Sequence, residues 1–205
     1  MATRRDYFSR KVHSLLGVIP IGLFLIVHLS VNYYIVDGVE SFNKAAKFMG
    51  SLPYLYFLEV TVIALPMIFH GVYGVYYAFL GSINTNRYSY ARNWMYMLQR
   101  FTGVFLVIFI AWHVWETRLA KLRGVEVNAE MMQNIVDNPL MLIFYIVGIL
   151  SATFHFANGL WSFAITWGIT QSPRSQRFMS YVSGVVFLAL SFVGIRSILT
   201  FAGIL

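Results

Sequence analysis

The sequence predicts an all-α membrane protein with five transmembrane helices in one bundle, and three observations carry that expectation. Of its 205 residues 59% are hydrophobic and only 11% are charged, outside the range of ordinary soluble domains. The apolar residues gather into five runs, each long enough for the roughly 20 residues that cross a hydrocarbon core. Turn-forming and charged segments separate the runs and leave no length for a soluble domain, so residues 1–205 read as a single membrane domain.

The first run extends from about Ser14 to Val36 and is closed by Asp37-Gly38-Val39-Glu40. The charged start Met1-Ala2-Thr3-Arg4-Arg5 precedes it, but the run is longer than a signal h-region and has no clear cleavage site, so it is expected to remain as a span. A short amphipathic stretch, Phe42 to Met49, follows. Pro53 precedes the second run, Tyr54 to Leu80, which Pro66 should kink one turn before His70 because an interior proline lacks an N–H and crowds the turn before it. Gly81-Ser82-Ile83-Asn84 ends it. The third run starts between Trp94 and Arg100 and ends near Arg118; a polar loop with Gly124, Asn128 and Asp137-Asn138-Pro139 leads to the fourth, Leu140 to Thr170. Ser172-Pro173-Arg174 makes a tight turn, and the fifth run, Phe178 to Leu205, lacks histidine and carries Arg196, expected to snorkel to the interface. Low-complexity stretches and tandem repeats are absent.

The net charge of +7 could suggest a nucleic-acid partner, but the basic residues sit at helix ends on alternate loops, as topology signals do. Arg4, Arg5, Arg10, Lys11, Arg87, Arg92, Arg174 and Arg177 fall on one side against a single acid, Asp6. On the other side Lys44, Lys47, Lys121 and Arg123 are balanced by Asp37, Glu40, Glu126, Glu130 and Asp137. The N-terminus is therefore expected in the cytoplasm and the C-terminus outside.

His28, His70, His113 and His155 each lie deep in a different run. An imidazole in hydrocarbon is costly unless its nitrogens are occupied, so one per helix on four helices points to a shared ligand. At 1.5 Å per residue, His28 and His113 lie about 20 Å along two outward-running helices. His70 and His155 lie about 15 residues along two inward-running ones. The pairs His28/His113 (outer) and His70/His155 (inner) are then offset by roughly 10–15 Å, too far for one metal ion but suited to two stacked haems. Gly74 and Gly159, one turn after the inner histidines, are expected to leave room for a flat porphyrin, with plain helix packing as the alternative; Phe24 and Phe109 precede the outer ones by four, with Gly17 and Gly103 near the inner ends of those helices. The nitrogen that does not bind iron is expected to donate to a carbonyl four residues earlier in its own helix.

Cysteine is absent, which excludes thiolate haem ligation, C-x-x-C-H attachment and iron–sulfur clusters held by this chain. His13, at the border of the first run, has nothing at its depth to pair with and reads as an interfacial residue or a donor to a haem propionate or quinone. Trp112 and Trp115 flank His113 and belong to an aromatic belt, with a quinone-lining role as the rarer alternative. Glu59 and Glu116 are the acids nearest membrane depth; Glu116, Asp37 and Glu40 are candidates to pass protons to a quinone beside the outer pair, or else interfacial residues.

The segments His13-Ser14-Leu15-Leu16-Gly17-Val18-Ile19-Pro20, Arg92-Asn93-Trp94-Met95, Trp112-His113-Val114-Trp115-Glu116-Thr117-Arg118 and Phe154-His155-Phe156-Ala157-Asn158-Gly159-Leu160-Trp161-Ser162-Phe163 resemble the cytochrome b558 subunits of Bacillus-type succinate dehydrogenases, over essentially the whole chain. The resemblance implies a five-helix, two-haem anchor in the bacterial cytoplasmic membrane, with two haem b ligated by His70/His155 and His28/His113. It implies flavoprotein and iron–sulfur partner subunits on the cytoplasmic face and electron flow to a quinone, menaquinone in such enzymes, near the outer face. Lys47 departs from the family pattern, which has histidine there, and affects no ligand position. Two rivals stand beside this reading: a cytochrome b subunit of a hydrogenase or formate dehydrogenase, separable by the partner it co-purifies with, and a transporter using the histidines as a proton or cation relay, separable by the absence of haem.

Overall fold

The computed structural model describes residues 4–205; Met1 to Thr3, and the side chains of Arg4 and Arg5 used above for orientation, lie outside what it describes. Among the described residues, five helical segments are long and apolar enough to cross a membrane: Asp6–Asp37, Leu55–Leu80, Ala91–Leu122, Pro139–Thr166 and Pro173–Phe201. They are the first to fifth spans below. The four histidine-bearing spans form a ring in which the first packs on the second, the second on the third, the third on the fourth and the fourth on the first. The fifth lies outside the ring, against the fourth span and the C-terminal part of the first.

Prolines set the interruptions. The first span is not one continuous helix, as the sequence reading had it, but Arg4–Val18 followed by Ile21–Tyr33, parted at Ile19–Pro20 where the proline cannot continue the hydrogen-bond ladder. The expected distortion at Pro66 takes the form of a π-helical turn, Glu59–Ala64, directly before the helix Leu65–Leu80. Elsewhere local chemistry fixes the ends. Asn138 caps the helix that opens at Pro139, and Ser172 with Ser175 forms a capping box ahead of the fifth span. The third span begins at Ala91, earlier than expected, and the fifth at Pro173 rather than Phe178. Within the third loop, read as irregular, Ala129–Val136 is helical and capped by the Asn128 side chain; the first loop carries the helix Val39–Gly50 on its amphipathic stretch.

Side chains follow the logic of a lipid-facing surface. Val72, Phe79, Ile108, Val185 and Leu188 point outward with 63% to 78% of their surface exposed, where water would penalise them and hydrocarbon does not. The fifth span is joined to the fourth through small and hydroxyl residues: Thr153, fully buried, hydrogen-bonds Ser191 at 2.8 Å, and a Cβ on Gly194 would sit 2.6 Å from Ile149. The tightest apolar core, including Ile35, Phe42, Phe109, Val136, Tyr145 and Phe201, gathers where the two loop helices close the bundle.

The two ends differ in chemistry. At one, Arg10 lies 4.5 Å over the Tyr77 ring, Lys11 4.8 Å over Trp167, and Arg92 3.6 Å over Trp161 while donating to Ser180. At the other, Arg118 Nε donates to Glu59 at 3.0 Å, joining the second and third spans and accounting for an acid at membrane depth.

Candidate functional site

The ring of spans brings the four histidines together in two pairs. His28 and His113, from the first and third spans, have ring centroids 5.7 Å apart with planes at 77°. His70 and His155, from the second and fourth, stand 6.1 Å apart at 87°. These are the pairings that depth arithmetic predicted. All four rings are half-buried in the bundle.

Their second ring nitrogens are held, but not by the carbonyls expected. His70 Nδ1 donates to the His13 carbonyl at 3.0 Å, and His155 Nδ1 donates to the Gln99 carbonyl at 3.1 Å with Thr102 Oγ1 at 3.3 Å. His113 Nδ1 donates to the Tyr145 hydroxyl at 3.3 Å, which donates in turn to Glu116 at 3.1 Å. Every acceptor lies on a neighbouring span. Carbonyls within a helix already accept from its own backbone, whereas a ring turned into the bundle meets the next helix. With Nδ1 protonated, Nε2 carries the free lone pair in three of the four rings. His28 differs: Asn32 donates to the His28 carbonyl at 2.8 Å and its amide lies 3.5 Å from Nε2.

The glycines also act across the interface. A Cβ on Gly17 would lie 2.5 Å from His70 Cε1, and one on Gly103 2.9 Å from His155 Cε1, so these two cradle the imidazoles of the His70/His155 pair. Gly74 and Gly159, expected to clear space for a porphyrin, instead face His13 Nε2 at 3.0 Å and Gln99 Nε2 at 3.7 Å. His13 is not isolated, contrary to expectation: its ring stacks on His70 at 4.1 Å and 3°. The set His13, Gly17, Phe24, His28, His70, Gly74 recurs in order as Gln99, Gly103, Phe109, His113, His155, Gly159. This positional repeat leaves no run of identical residues, which is why the sequence shows no tandem repeat.

Gln99, Thr102 and Tyr145 were missed by sequence reasoning, and only tertiary contact reveals them. The Gln99 side chain donates to the His155 carbonyl at 3.0 Å and accepts from Asn158 at 2.8 Å, fixing the third span to the fourth beside the His70/His155 pair. Tyr145, 3% exposed, bridges His113 and Glu116. Replacing it with phenylalanine should unpair His113 Nδ1 and remove the pull of the Glu116 carboxylate on that ring. With iron bound to His113, ligand basicity would then fall and the reduced form of that iron would gain about 1 kcal/mol, the net worth of one hydrogen bond. Redox titration should show one couple rising by roughly 40 mV, since tenfold is 59 mV for one electron.

The other acids separate. Asp37 lines an open cleft of about 380 Å³ with Ser30, Tyr33, Tyr34 and Val193, within three turns of His28. Glu40 pairs with Lys44 on the exposed surface at 2.7 Å, and Trp112 is 47% exposed. These contacts do not bring Trp112, Glu116, Asp37 and Glu40 into one pocket.

Residues that fit a haem can be tested on the donor set. Metal–imidazole bonds of about 2 Å, plus the distance from nitrogen to ring centre, put two axial rings roughly 6 Å apart, close to both observed pairs. Among the described residues no group of three or more histidines or acids could hold a bare ion, whereas porphyrin iron needs only two axial donors. The donors fit.

Fold and site together define a multi-pass helical membrane bundle with histidine pairs enclosed between its spans. Residues 82–196 match the succinate dehydrogenase/fumarate reductase transmembrane subunit family. Over 201 residues, 98% of this chain and the whole of the relative, it is 57% identical to the succinate dehydrogenase cytochrome b558 subunit of Bacillus subtilis (strain 168). The chain belongs to this family as a cytochrome b558 membrane subunit of the succinate dehydrogenase complex, in a bacterial membrane.

Proposed function

We propose that residues 1–205 form one domain that binds two b haems, an inner one between His70 and His155 and an outer one between His28 and His113. The subunit anchors the succinate-oxidising subunits and connects them to quinone. The observation that carries this is the pair of imidazole separations, 5.7 and 6.1 Å, on four different spans. Iron ligated by histidine on both faces supplies a reversible one-electron carrier with no open position for dioxygen.

The chain's own residues do the rest. The carbonyls of His13 and Gln99 and the hydroxyl of Tyr145 fix which nitrogen of His70, His155 and His113 faces the pair. The end bearing Arg10, Lys11 and Arg92 faces the cytoplasm, following the positive-inside rule, and receives an iron–sulfur subunit that is itself joined to a flavoprotein. A quinone, menaquinone by family, would take up electrons and protons at the opposite end, which carries the Glu116–Tyr145 bridge to His113 and the Asp37 cleft.

The purified complex should contain two b haems per copy of this chain by reduced-minus-oxidised spectrum and haem extraction; a colourless chain or a single haem overturns the proposal. Imidazole planes near perpendicular leave two iron d orbitals almost degenerate. The oxidised protein should therefore give strongly anisotropic low-spin EPR signals, and rhombic signals from both centres would contradict the planes at 77° and 87°.

A further inference from the structure

Beside the inner histidine pair, two nitrogen donors are buried without a hydrogen-bond partner: Arg100 Nη1 and His13 Nε2. His13 is tied to that pair by other atoms, and Arg100 adjoins in sequence a residue that is. His13 holds His70 through its carbonyl and stacks on its ring. Arg100 follows Gln99, whose carbonyl accepts from His155, and precedes Gly103, which cradles that ring. The second span lies bare beneath each donor. A Cβ on Gly74 would meet His13 Nε2 at 3.0 Å, and one on Gly81 would collide with the Arg100 guanidinium. Gly74 lies about two turns before Gly81, the extended residue that ends the helix Leu65–Leu80. Arg100 Nη2 reaches the Tyr77 carbonyl at 3.3 Å on the same span, and its guanidinium lies 4.2 Å over the Tyr96 ring.

A guanidinium nitrogen buried without an acceptor is costly unless an anion completes it, and a carboxylate matches its fork. A b haem carries two propionate carboxylates. We propose that Arg100 and His13 form a carboxylate site that receives the propionates of the haem held by His70 and His155. This rests on the two-haem reading above. It leaves His13 in contact with the ligand through its carbonyl and with the propionates through Nε2, and gives a role to Arg100, which the sequence marks only as a bound on the start of the third span.

The test uses the assembled succinate dehydrogenase complex. Arg100→Gln removes the cation and keeps a polar side chain; Arg100→Lys keeps the charge; His13→Phe keeps a stacking ring and the carbonyl but removes the donor. Haem content reads the underlying proposal separately: fewer than two haems in the unmodified complex overturns that, whatever the variants do. With two haems retained, loss of a cation disfavours the reduced form of one haem only. Arg100→Gln should lower the reduced-to-oxidised ratio of one couple about tenfold at fixed potential, 59 mV for one electron, and leave the other unmoved. Arg100→Lys should recover at least half of that, and His13→Phe should shift the same couple in the same direction by less. If Arg100→Gln does not assemble, Arg100→Lys and His13→Phe must still move one and the same couple. Unmoved couples, equal shifts in both, or loss of a co-purifying anionic phospholipid with both couples unmoved would each overturn the carboxylate site, the last by assigning Arg100 to a lipid phosphate.

Discussion

Replacing His155 with alanine should halve the haem content of the complex, from two per chain to one, and abolish one of the two redox couples. The inner iron would keep one axial imidazole, that of His70, still held by the His13 carbonyl at 3.0 Å. A haem at that pair would then be held from one side only, without the second anchor across the bundle. The outer pair stands on other spans, beside the buried core of Phe109, Tyr145 and Phe201, so its couple should persist with its potential little changed. Truncating a partly buried ring costs about 2–5 kcal/mol in packing, so the yield of assembled complex should fall as well. Haem stoichiometry per assembled chain separates the two effects. His113→Ala should remove the other couple by the same reasoning, and the double replacement should leave the membranes colourless. Two haems retained in His155→Ala would sink the ligand assignment.

What could be read from the sequence depended on whether the interaction was local or across the bundle. The histidine pairing was legible because rise per residue is nearly constant in a helix, so position along an apolar run is depth. The starts of the fourth and fifth spans were legible only roughly: Asn138 and Ser172 cap helices that open at Pro139 and Pro173, whereas Ser172-Pro173-Arg174 reads as a tight turn ahead of a span from Phe178. The acceptors of the ring nitrogens were not. His13 and His70 are 57 residues apart, and Tyr145 and Glu116 are 29 apart, so no spacing rule links them. Gly74 shows the failure most clearly. Read along its own helix it clears space beside His70; packed against the first span, it accommodates His13. The break at Pro20 was obscured because the residues around it are apolar enough to complete a span on composition alone.

Collapsing the membrane potential should slow succinate-dependent quinone reduction by this complex in sealed vesicles or cells, and leave the same reaction unchanged in detergent. The proposed orientation delivers electrons at the end bearing Arg10, Lys11 and Arg92 and removes them near Asp37 and Glu116. An inside-negative potential drives negative charge in that direction. One elementary charge crossing the whole membrane is worth about 2.3 kcal/mol per 100 mV, so at 100 mV the two electrons of one quinone gain up to roughly 4.6 kcal/mol. At 1.4 kcal/mol per tenfold, that is a factor on the order of a thousand in the driving equilibrium. The effect on rate should be greatest when the quinone has a potential below that of succinate, because the electrical work then decides whether the reaction proceeds. An uncoupler and an ionophore that removes only the electrical component should both inhibit, while an artificial acceptor taking electrons from the partner subunits before they reach this chain should restore succinate oxidation. Quinone reduction insensitive to both agents would place the quinone at the same end as the iron–sulfur subunit. The positive-inside orientation would survive that result, but the Asp37 cleft and the Glu116–Tyr145 bridge would lose their part in quinone chemistry.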